Sequence, residues 1–393
     1  MPQIKKNRIF VFHFLPIEMY PPALNFASYL SNNVHPNNTT EIILVTTKPN
    51  TGLRLVALPN IQIIRYRGIE KGMSAFKKLT QYIYIYSAVI MKLFKYKPQS
   101  LFFYETLSSF PFVVYSLFYK KINLYIHYHE LFTIEQLKKG RPLHNFLNRL
   151  EKRYLYAKAK WISETNRYRM KIFIDQYHLN FDRVKHRILP NYPPKKWIDQ
   201  SKIVNVNQRD KSKIKLLHIG SLSFETMYLN EVLKQYGNHE KFEITFYSHL
   251  RDRIIIEKLT SYDNVTFKGS LNYDEIPNLK GLYDVGLVLY KGNSLNFTYN
   301  APNKIFEYLA LDLDVWCSDK LVTSKDYEIR SSYPKMLMVD FENLYRFNFQ
   351  NALDKDKLTY KESPYYCETV YEPLAAQMYS DFDLEAATER KSL

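Results

Sequence analysis

Lys304 and Glu307 stand one helical turn apart in the segment Tyr299-Asn300-Ala301-Pro302-Asn303-Lys304-Ile305-Phe306-Glu307-Tyr308-Leu309-Ala310, which reads as a loop running into a helix. Pro302 suits the first helical turn, where its missing N–H costs nothing, and Asn300 suits the cap. A helix start offers free backbone N–H groups and a partial positive charge, to which Lys304 adds a full one. Phosphate oxygens would meet these, and Glu307, on the same face, would meet ribose hydroxyls. That is chemistry for a nucleotide diphosphate. The same spacing also describes a solvated Lys–Glu pair on an ordinary surface helix.

Other candidates fall where strands are expected to end. His129 follows the strand-like run Tyr125 to Tyr128 and precedes Glu130. An imidazole there can meet ligand hydroxyls or a phosphate, or is simply satisfied at a strand end. Glu105 and Glu130 are candidates for ligand hydroxyls, and equally for capping the next turn. His13 ends the first strand-like run. Gly220 and Ser221 form a turn after another, where backbone position would bring them near phosphates. No nucleophile triad emerges, and no His, Cys or carboxylate set has ligand spacing, so a reaction without a metal ion is expected.

These residues need a scaffold of short buried strands separated by helices. Strands are expected at 8–14, 41–46, 61–66, 100–104, 123–128, 160–163 and 187–190, with helices at 21–32, 73–97 and 146–158. A second series follows, with strands at 215–219, 243–247, 265–268, 285–290, 315–318 and 336–339 and helices at 227–236, 251–260, 276–282 and 302–311. Such alternation predicts two α/β doubly wound parallel-sheet domains, with ligands at the carboxyl ends of the strands and the domains facing across a cleft. Residues 1–195 form the expected N-terminal domain, 196–213 the polar linker and 214–393 the C-terminal domain, whose last helix is expected to cross back to the first.

The chain has 393 residues and a net charge of +16, unevenly spread. Residues 1–200 hold 31 Lys and Arg against 11 Asp and Glu, a balance of +20, and the remainder holds 24 against 28, a balance of −4. A basic first half facing a polyanion is the natural reading, whether an anionic membrane or a nucleic acid. The abundant Tyr, Phe, Ile, Asn and Lys share AT-rich codons and read as genome composition rather than as a base-stacking surface; no nucleic acid partner is expected. The helix at 73–97 sets Phe76, Leu79, Ile83, Tyr86, Ile90 and Leu93 on one side, with lysines at both ends. It suits an anionic membrane surface and suits a buried core element equally. Cys317 and Cys367 lack metal or redox spacing, and no secretory signal or apolar run of roughly 20 residues is read. The expected location is cytoplasmic, peripheral on the inner face of the cytoplasmic membrane.

The 299–310 segment, with the strand after it, resembles the nucleotide-binding segment of glycosyltransferase family 4. Tyr125-Ile126-His127-Tyr128-His129-Glu130, Ile188-Leu189-Pro190-Asn191-Tyr192-Pro193 and Leu216-Leu217-His218-Ile219-Gly220-Ser221-Leu222 resemble other family segments in the family's order. The resemblance covers roughly residues 8–345. It implies the GT-B fold of two Rossmann-like domains, 1–195 binding the acceptor and 214–393 the nucleotide sugar, and metal-independent transfer, with retained configuration, from a nucleotide diphosphate sugar. That sugar is a donor substrate rather than a cofactor. The acceptor implied is a saccharide or lipid-linked, in surface-polysaccharide assembly such as capsule or lipopolysaccharide. Lys304 and His129 carry the implied catalytic roles. Gly220, Ser221, Tyr299, Asn300, Lys304 and Glu307 carry donor binding, and Glu105, Glu130 and His13 substrate contact. The chain departs from the family pattern at Ser221, where an Arg is usual, with no Lys or Arg before Lys234; at Tyr299, where a first carboxylate is usual; at Asp312 and Asp314, where Gly and Pro are usual; and at Glu18 to Pro22, where a glycine-rich loop is usual. A basic nucleic-acid-binding protein and a sugar-nucleotide epimerase of related fold are the alternatives.

Overall fold

The structure, a computed structural model, describes residues 7–33, 40–49, 53–70, 72–200, 212–250, 252–354 and 358–391, without the side chains of 200 and 383–391. It divides into two compact units, Met1–Pro190 with Glu368–Leu393, and Asn191–Cys367.

In chain order the first unit runs β1 (Asn7–His13), α1 (Pro21–Asn32), β2 (Thr40–Thr47), β3 (Ile61–Tyr66), α2 (Ala75–Tyr96), β4 (Ser100–Tyr104), α3 (Phe110–Phe118), β5 (Asn123–Tyr128), α4 (Ile134–Gly140), α5 (Pro142–Tyr154), β6 (Ala159–Glu164), α6 (Arg167–Tyr177) and β7 (His186–Ile188). The strands form one parallel sheet in the order β3-β2-β1-β4-β5-β6-β7. The inner strands β1 and β4 carry near-continuous buried apolar runs, as a sheet covered on both faces requires, whereas the edge strand β3 is only half-buried. Phe10, Phe12, Ile43, Leu101, Phe103, Leu124, Ile126 and Ile162 are all fully buried in the sheet's core. Each such side chain contributes about 1.5–3 kcal/mol relative to exposure.

The second unit runs α7 (Lys196–Gln200), β8 (Ile214–Ile219), α8 (Leu229–Tyr236), β9 (Phe242–Tyr247), α9 (Arg253–Thr260), β10 (Val265–Phe267), β11 (Val285–Val288), α10 (Leu295–Thr298), α11 (Asn303–Ala310), β12 (Asp314–Ser318), β13 (Ser332–Tyr333), β14 (Met336–Val339), α12 (Phe349–Leu353) and β15 (Thr359–Tyr360). Six strands form a parallel sheet in the order β10-β9-β8-β11-β12-β14. The last helix, α13 (Glu368–Lys391), belongs to the first unit. There the Tyr371 hydroxyl donates to Pro22 O at 2.9 Å, and Lys160 pairs with Asp381 at 2.7 Å. Strand order reverses between β1 and β4 in one sheet and between β8 and β11 in the other, and ligands of open α/β sheets bind at such points.

Several expectations are corrected. The helix expected at 276–282 is a 3₁₀ segment, Tyr273–Leu279, because Pro277 cannot donate within an α-helix. The helix expected at 146–158 starts earlier, at Pro142, and α3 and α6 were not anticipated from periodicity. The residues expected to begin a linker are partly core. Trp197 and Ile198 are buried, and the Trp197 ring meets Tyr273 at 4.7 Å. Residues 201–211 of that expected linker lie outside the described residues. Helix α2 does not present one uniform apolar side. Tyr86 and Leu93 are buried, whereas Phe76, Leu79 and Ile83 are exposed, as are Tyr84 and Met91.

Candidate functional site

At the first switch point the sheet delivers a polar cluster from four adjacent strand ends. His13 closes β1, and its Nδ1 donates to Leu15 O at 2.5 Å; a carbonyl only accepts, so the ring proton sits there. Nε2 is then a buried lone pair with no described hydrogen-bond partner. His127, in β5, repeats this arrangement. Its Nδ1 lies 2.9 Å from Ser163 Oγ, which itself donates to Ile126 O, so the histidine is the donor of that pair. Burial holds both rings neutral, pushing His13 down to about 4 and His127 to about 3, the latter aided by the Arg169 guanidinium. His129 is buried, stacks on Tyr104 at 5.0 Å and meets His127 edge-on at 4.5 Å. Tyr20 meets His13 at 4.6 Å and stacks on His129 at 6.4 Å.

Glu105 is a half-buried residue at φ +62°, the left-handed region, right after β4. Its Oε1 accepts from the backbone N–H groups of both His129 and Glu130, so this oxygen shapes the loop that carries His129. Arg169 on α6 is buried and donates to the His129 carbonyl and to Thr165 Oγ1. Glu105, Glu130 and Glu164 all act on this one guanidinium. Desolvation disfavours the ionised form of the two inner carboxyls, Glu105 and Glu164. Burial pushes Glu105 up to about 8, with Glu130 adding to the rise, and pushes Glu164 well above the carboxylate range. The Glu130 side chain, in contrast, is exposed. In place of a glycine-rich loop, Glu18 ties the 17–22 turn down through Arg65 at 2.7 Å and the Val56 amide at 3.2 Å. Beside it lies a cavity of about 240 Å³ lined by Phe14, Pro16, Met19, Tyr20, Lys48 and Ile69 among others.

The second switch point is built by the 299–310 segment. Helix α11 starts at Asn303, and Pro302 is its cap residue, not its first helical residue. No side chain caps it, so Asn300 does not take the expected role; the Asn300 carbonyl instead accepts from Ser324 Oγ at 3.0 Å, which fixes the approach to the helix. Glu307 is fully buried, which excludes the solvated surface pair. Its Oε2 pairs with Lys304 Nζ, and its Oε1 accepts from Asn303 Nδ2 at 2.5 Å. Tyr299 and Asn300 are half-buried. Tyr308, one residue on, faces the sheet. A Cβ on Gly286 of β11 would lie 2.2 Å from its ring, so glycine is required for the ring to seat there. The seated hydroxyl accepts from the Ile219 N–H at 2.9 Å. Gly220 follows at φ +141°, a conformation glycine adopts freely, and donates to Tyr247 O at 2.9 Å. The exposed Ser221 thus sits on a turn held from several sides.

Asp312 and Asp314 serve the fold. Asp312 takes φ +57°, at about 1–2 kcal/mol for an L-residue, while its carboxylate pairs with Lys280 at 2.6 Å and accepts from the Tyr360 hydroxyl at 3.0 Å. Asp314 accepts from the Lys335 amide at 2.7 Å. Cys317 and Cys367 are free and buried. Among the described residues no group of three or more His, Cys, Asp or Glu is placed to hold a metal ion. Sequence reasoning missed Arg169, Asn303, Tyr308 and His218. Arg169 had a signal, a cation on the apolar i, i+4 face that also carries Phe173 and Tyr177.

No protein-family model matches the chain, and no curated protein matches it in sequence. Solved structures do match in fold. A sucrose-phosphate synthase from Thermosynechococcus elongatus superposes with a TM-score of 0.65 at 13% identity, covering 97% of this chain and 100% of its own. The lipopolysaccharide outer core galactosyltransferase WaaB gives 0.59 at 11% identity over 95% and 99%. A UDP-GlcNAc 2-epimerase from Neisseria meningitidis, bound to UDP-GlcNAc, gives 0.55 at 13% identity over 95% and 100%. The chain has the GT-B fold, with two Rossmann-like α/β domains.

Proposed function

We propose that the chain is a glycosyltransferase that takes its sugar from a nucleotide diphosphate sugar. The observation that carries this reading is Glu307, a fully buried carboxylate held by Lys304 and Asn303 at the uncapped start of a helix beside a switch point. Burying an ion pair costs several kcal/mol per ion, which points to a ligand as its purpose. Phosphate oxygens would draw on Lys304, the first-turn amides and the Gly220–Ser221 backbone, freeing Glu307 for ribose hydroxyls. Tyr299 and Asn300 line the approach. Lys304 would then meet the negative charge that grows on the leaving phosphate. In the first unit, His129 is the candidate catalytic imidazole, and His13 and Glu130 are candidates for sugar or acceptor contact; Glu105 would serve by holding the His129 loop. Retention of configuration and reaction without a metal ion follow from the family resemblance.

The acceptor we favour is a saccharide or lipid-linked one, in surface-polysaccharide assembly at the inner face of the cytoplasmic membrane. The half-exposed α2 supports this. Phe76 is 74% and Met91 65% exposed, and Lys77, Lys78 and Lys95 are exposed on the same helix. No described helix is long and apolar enough to cross a membrane. Replacing Lys77, Lys78 and Lys95 with Gln should weaken binding to anionic vesicles by up to about 3 kcal/mol, at about 1 kcal/mol per residue. Equal sedimentation of both proteins would remove α2 from the interface.

A sugar-nucleotide epimerase is the second reading, favoured by the fold match to the UDP-GlcNAc 2-epimerase. Incubation with labelled nucleotide sugars, with and without a lipid or saccharide extract, separates the two. Release of the nucleotide only when acceptor is present supports the transferase; a changed sugar still on its nucleotide, without acceptor, replaces it with the epimerase.

A further inference from the structure

His218 lies in β8, two residues before the Gly220 turn, and is buried. Its Nδ1 is 3.1 Å from Leu287 O and its Nε2 is 3.2 Å from Ser221 O. Both neighbours are carbonyl oxygens, which only accept, whereas a neutral imidazole has a single N–H. In the neutral ring, one of the two contacts therefore sets a nitrogen lone pair against an oxygen lone pair. Only the imidazolium donates to both. Two influences oppose that charge, burial first and then the Lys304 ammonium, and together they hold the ring below its ordinary range. Of the neighbouring charged or titratable groups, Glu243 of β9 pairs with Lys213 and Lys215, Glu307 of α11 pairs with Lys304, and His249 after β9 is itself lowered by burial and then by Lys304. β11 contributes the Leu287 carbonyl, and β9 contributes the Phe246 ring at 5.9 Å. The charge that acts on His218 comes from α11.

An anion at the start of α11 would offset the Lys304 charge and add negative charge of its own. The two carbonyls already in place would then favour the second proton. We propose that His218 is the second cation of the donor-phosphate site, taking up a proton as a nucleoside diphosphate binds and clamping the Ser221 carbonyl to β11. This rests on the donor reading above. It also answers a lack in the sequence, since residues 220–233 contain no Lys or Arg. The proton enters from solvent and remains on the ring while the nucleotide stays bound. His218 acts through the turn it holds and is a positioning residue.

Calorimetry with UDP, ADP and GDP tests this. Titrations between pH 7 and 8, above the range near pH 6 where the nucleotide's own phosphate protonates, are run in buffers of different protonation enthalpy on the full chain and on His218→Gln. The parent is expected to take up close to one proton per nucleotide bound. Its affinity should rise toward tenfold for each unit the pH falls, as linkage to one proton requires. The variant should bind with neither dependence. Nitrogen NMR of the parent's histidine rings gives an independent reading should the variant misfold, with the His218 ring neutral when free and doubly protonated when nucleotide is bound. Nucleotide binding without proton uptake, or a ring that stays neutral in the complex, overturns the role of His218 while leaving the donor site standing. Absence of binding by all three nucleotides overturns both.

Discussion

The two switch points occupy equivalent places in their sheets and are built on opposite electrostatic plans. In the first unit, burial disfavours the charged forms of the groups clustered at the strand ends. His13 and His127 are deprotonated rings with fixed tautomers, Glu105 and Glu164 are carboxyls pushed toward protonation, and one guanidinium, Arg169, offsets what charge remains. In the second unit a full ion pair, Lys304–Glu307, is kept at a helix start. Neutral donors and acceptors match hydroxyl groups. An ion pair beside uncapped amides matches an anion, which can replace Glu307 as the partner of Lys304.

The largest test of this contrast is Arg169→Met. Leaving the surrounding buried carboxylates without their cation should destabilise the protein by about 3–5 kcal/mol, read from urea unfolding. The loss should grow as pH rises through about 8, where the Glu105 carboxyl ionises beside Arg169 in the parent and has no cation in the variant. A change within the roughly 0.5 kcal/mol typical of surface substitutions would mean that Arg169 does not hold the cluster together.

In the second unit, Gly286→Ala forces the Tyr308 ring out of its seat, and overpacking of this kind costs about 1–3 kcal/mol. Because the Tyr308 hydroxyl pins Ile219 next to the Gly220 turn, nucleotide affinity should fall along with stability. A stability loss with intact affinity would separate the turn from the site.

A subtler effect is pH dependence. The folded pKa of Glu105, about 8, lies above its ordinary 4.5, so the folded state holds the extra proton between those values. Its contribution is complete below about 4.5 and is lost as pH rises through 8. His13 and His127 run the other way. Their depressed folded values contribute stability above 6.5 that is lost as pH falls toward 4 and 3. Glu105→Gln should remove its share of the decline between about 4.5 and 8 and leave the loss below about 4.5 unchanged. A melting-temperature profile identical to the parent's on both sides would remove Glu105 from the balance.

The sheets were legible because most of their strands are short, largely apolar runs between polar turns, and β3, β4, β5 and β14 fall at the expected residues. Periodicity failed where packing is not one-sided. Helix α3 is apolar nearly all round and offers no stripe, and α2 is exposed all round in its first turns and buried on one side only after them. At the site, the Lys304–Glu307 spacing was readable, but its partners were not. Asn303 reaches Glu307 from the same turn, and Tyr308 matters only because Gly286, 22 positions earlier in sequence, leaves room for its ring. The internal use of Glu105 depends on its positive φ, which sequence spacing does not encode.

Calorimetric titration of the parent and Glu307→Gln with nucleotide sugars of uridine, adenosine and guanosine tests the central claim most directly. At least one donor should bind the parent, and the substitution should weaken it by about 1.5–3 kcal/mol, the range for hydrogen bonds to a charged group, in a protein whose circular dichroism is unchanged. Unaltered affinity in the folded variant, or no binding of any nucleotide sugar to the parent, would contradict it.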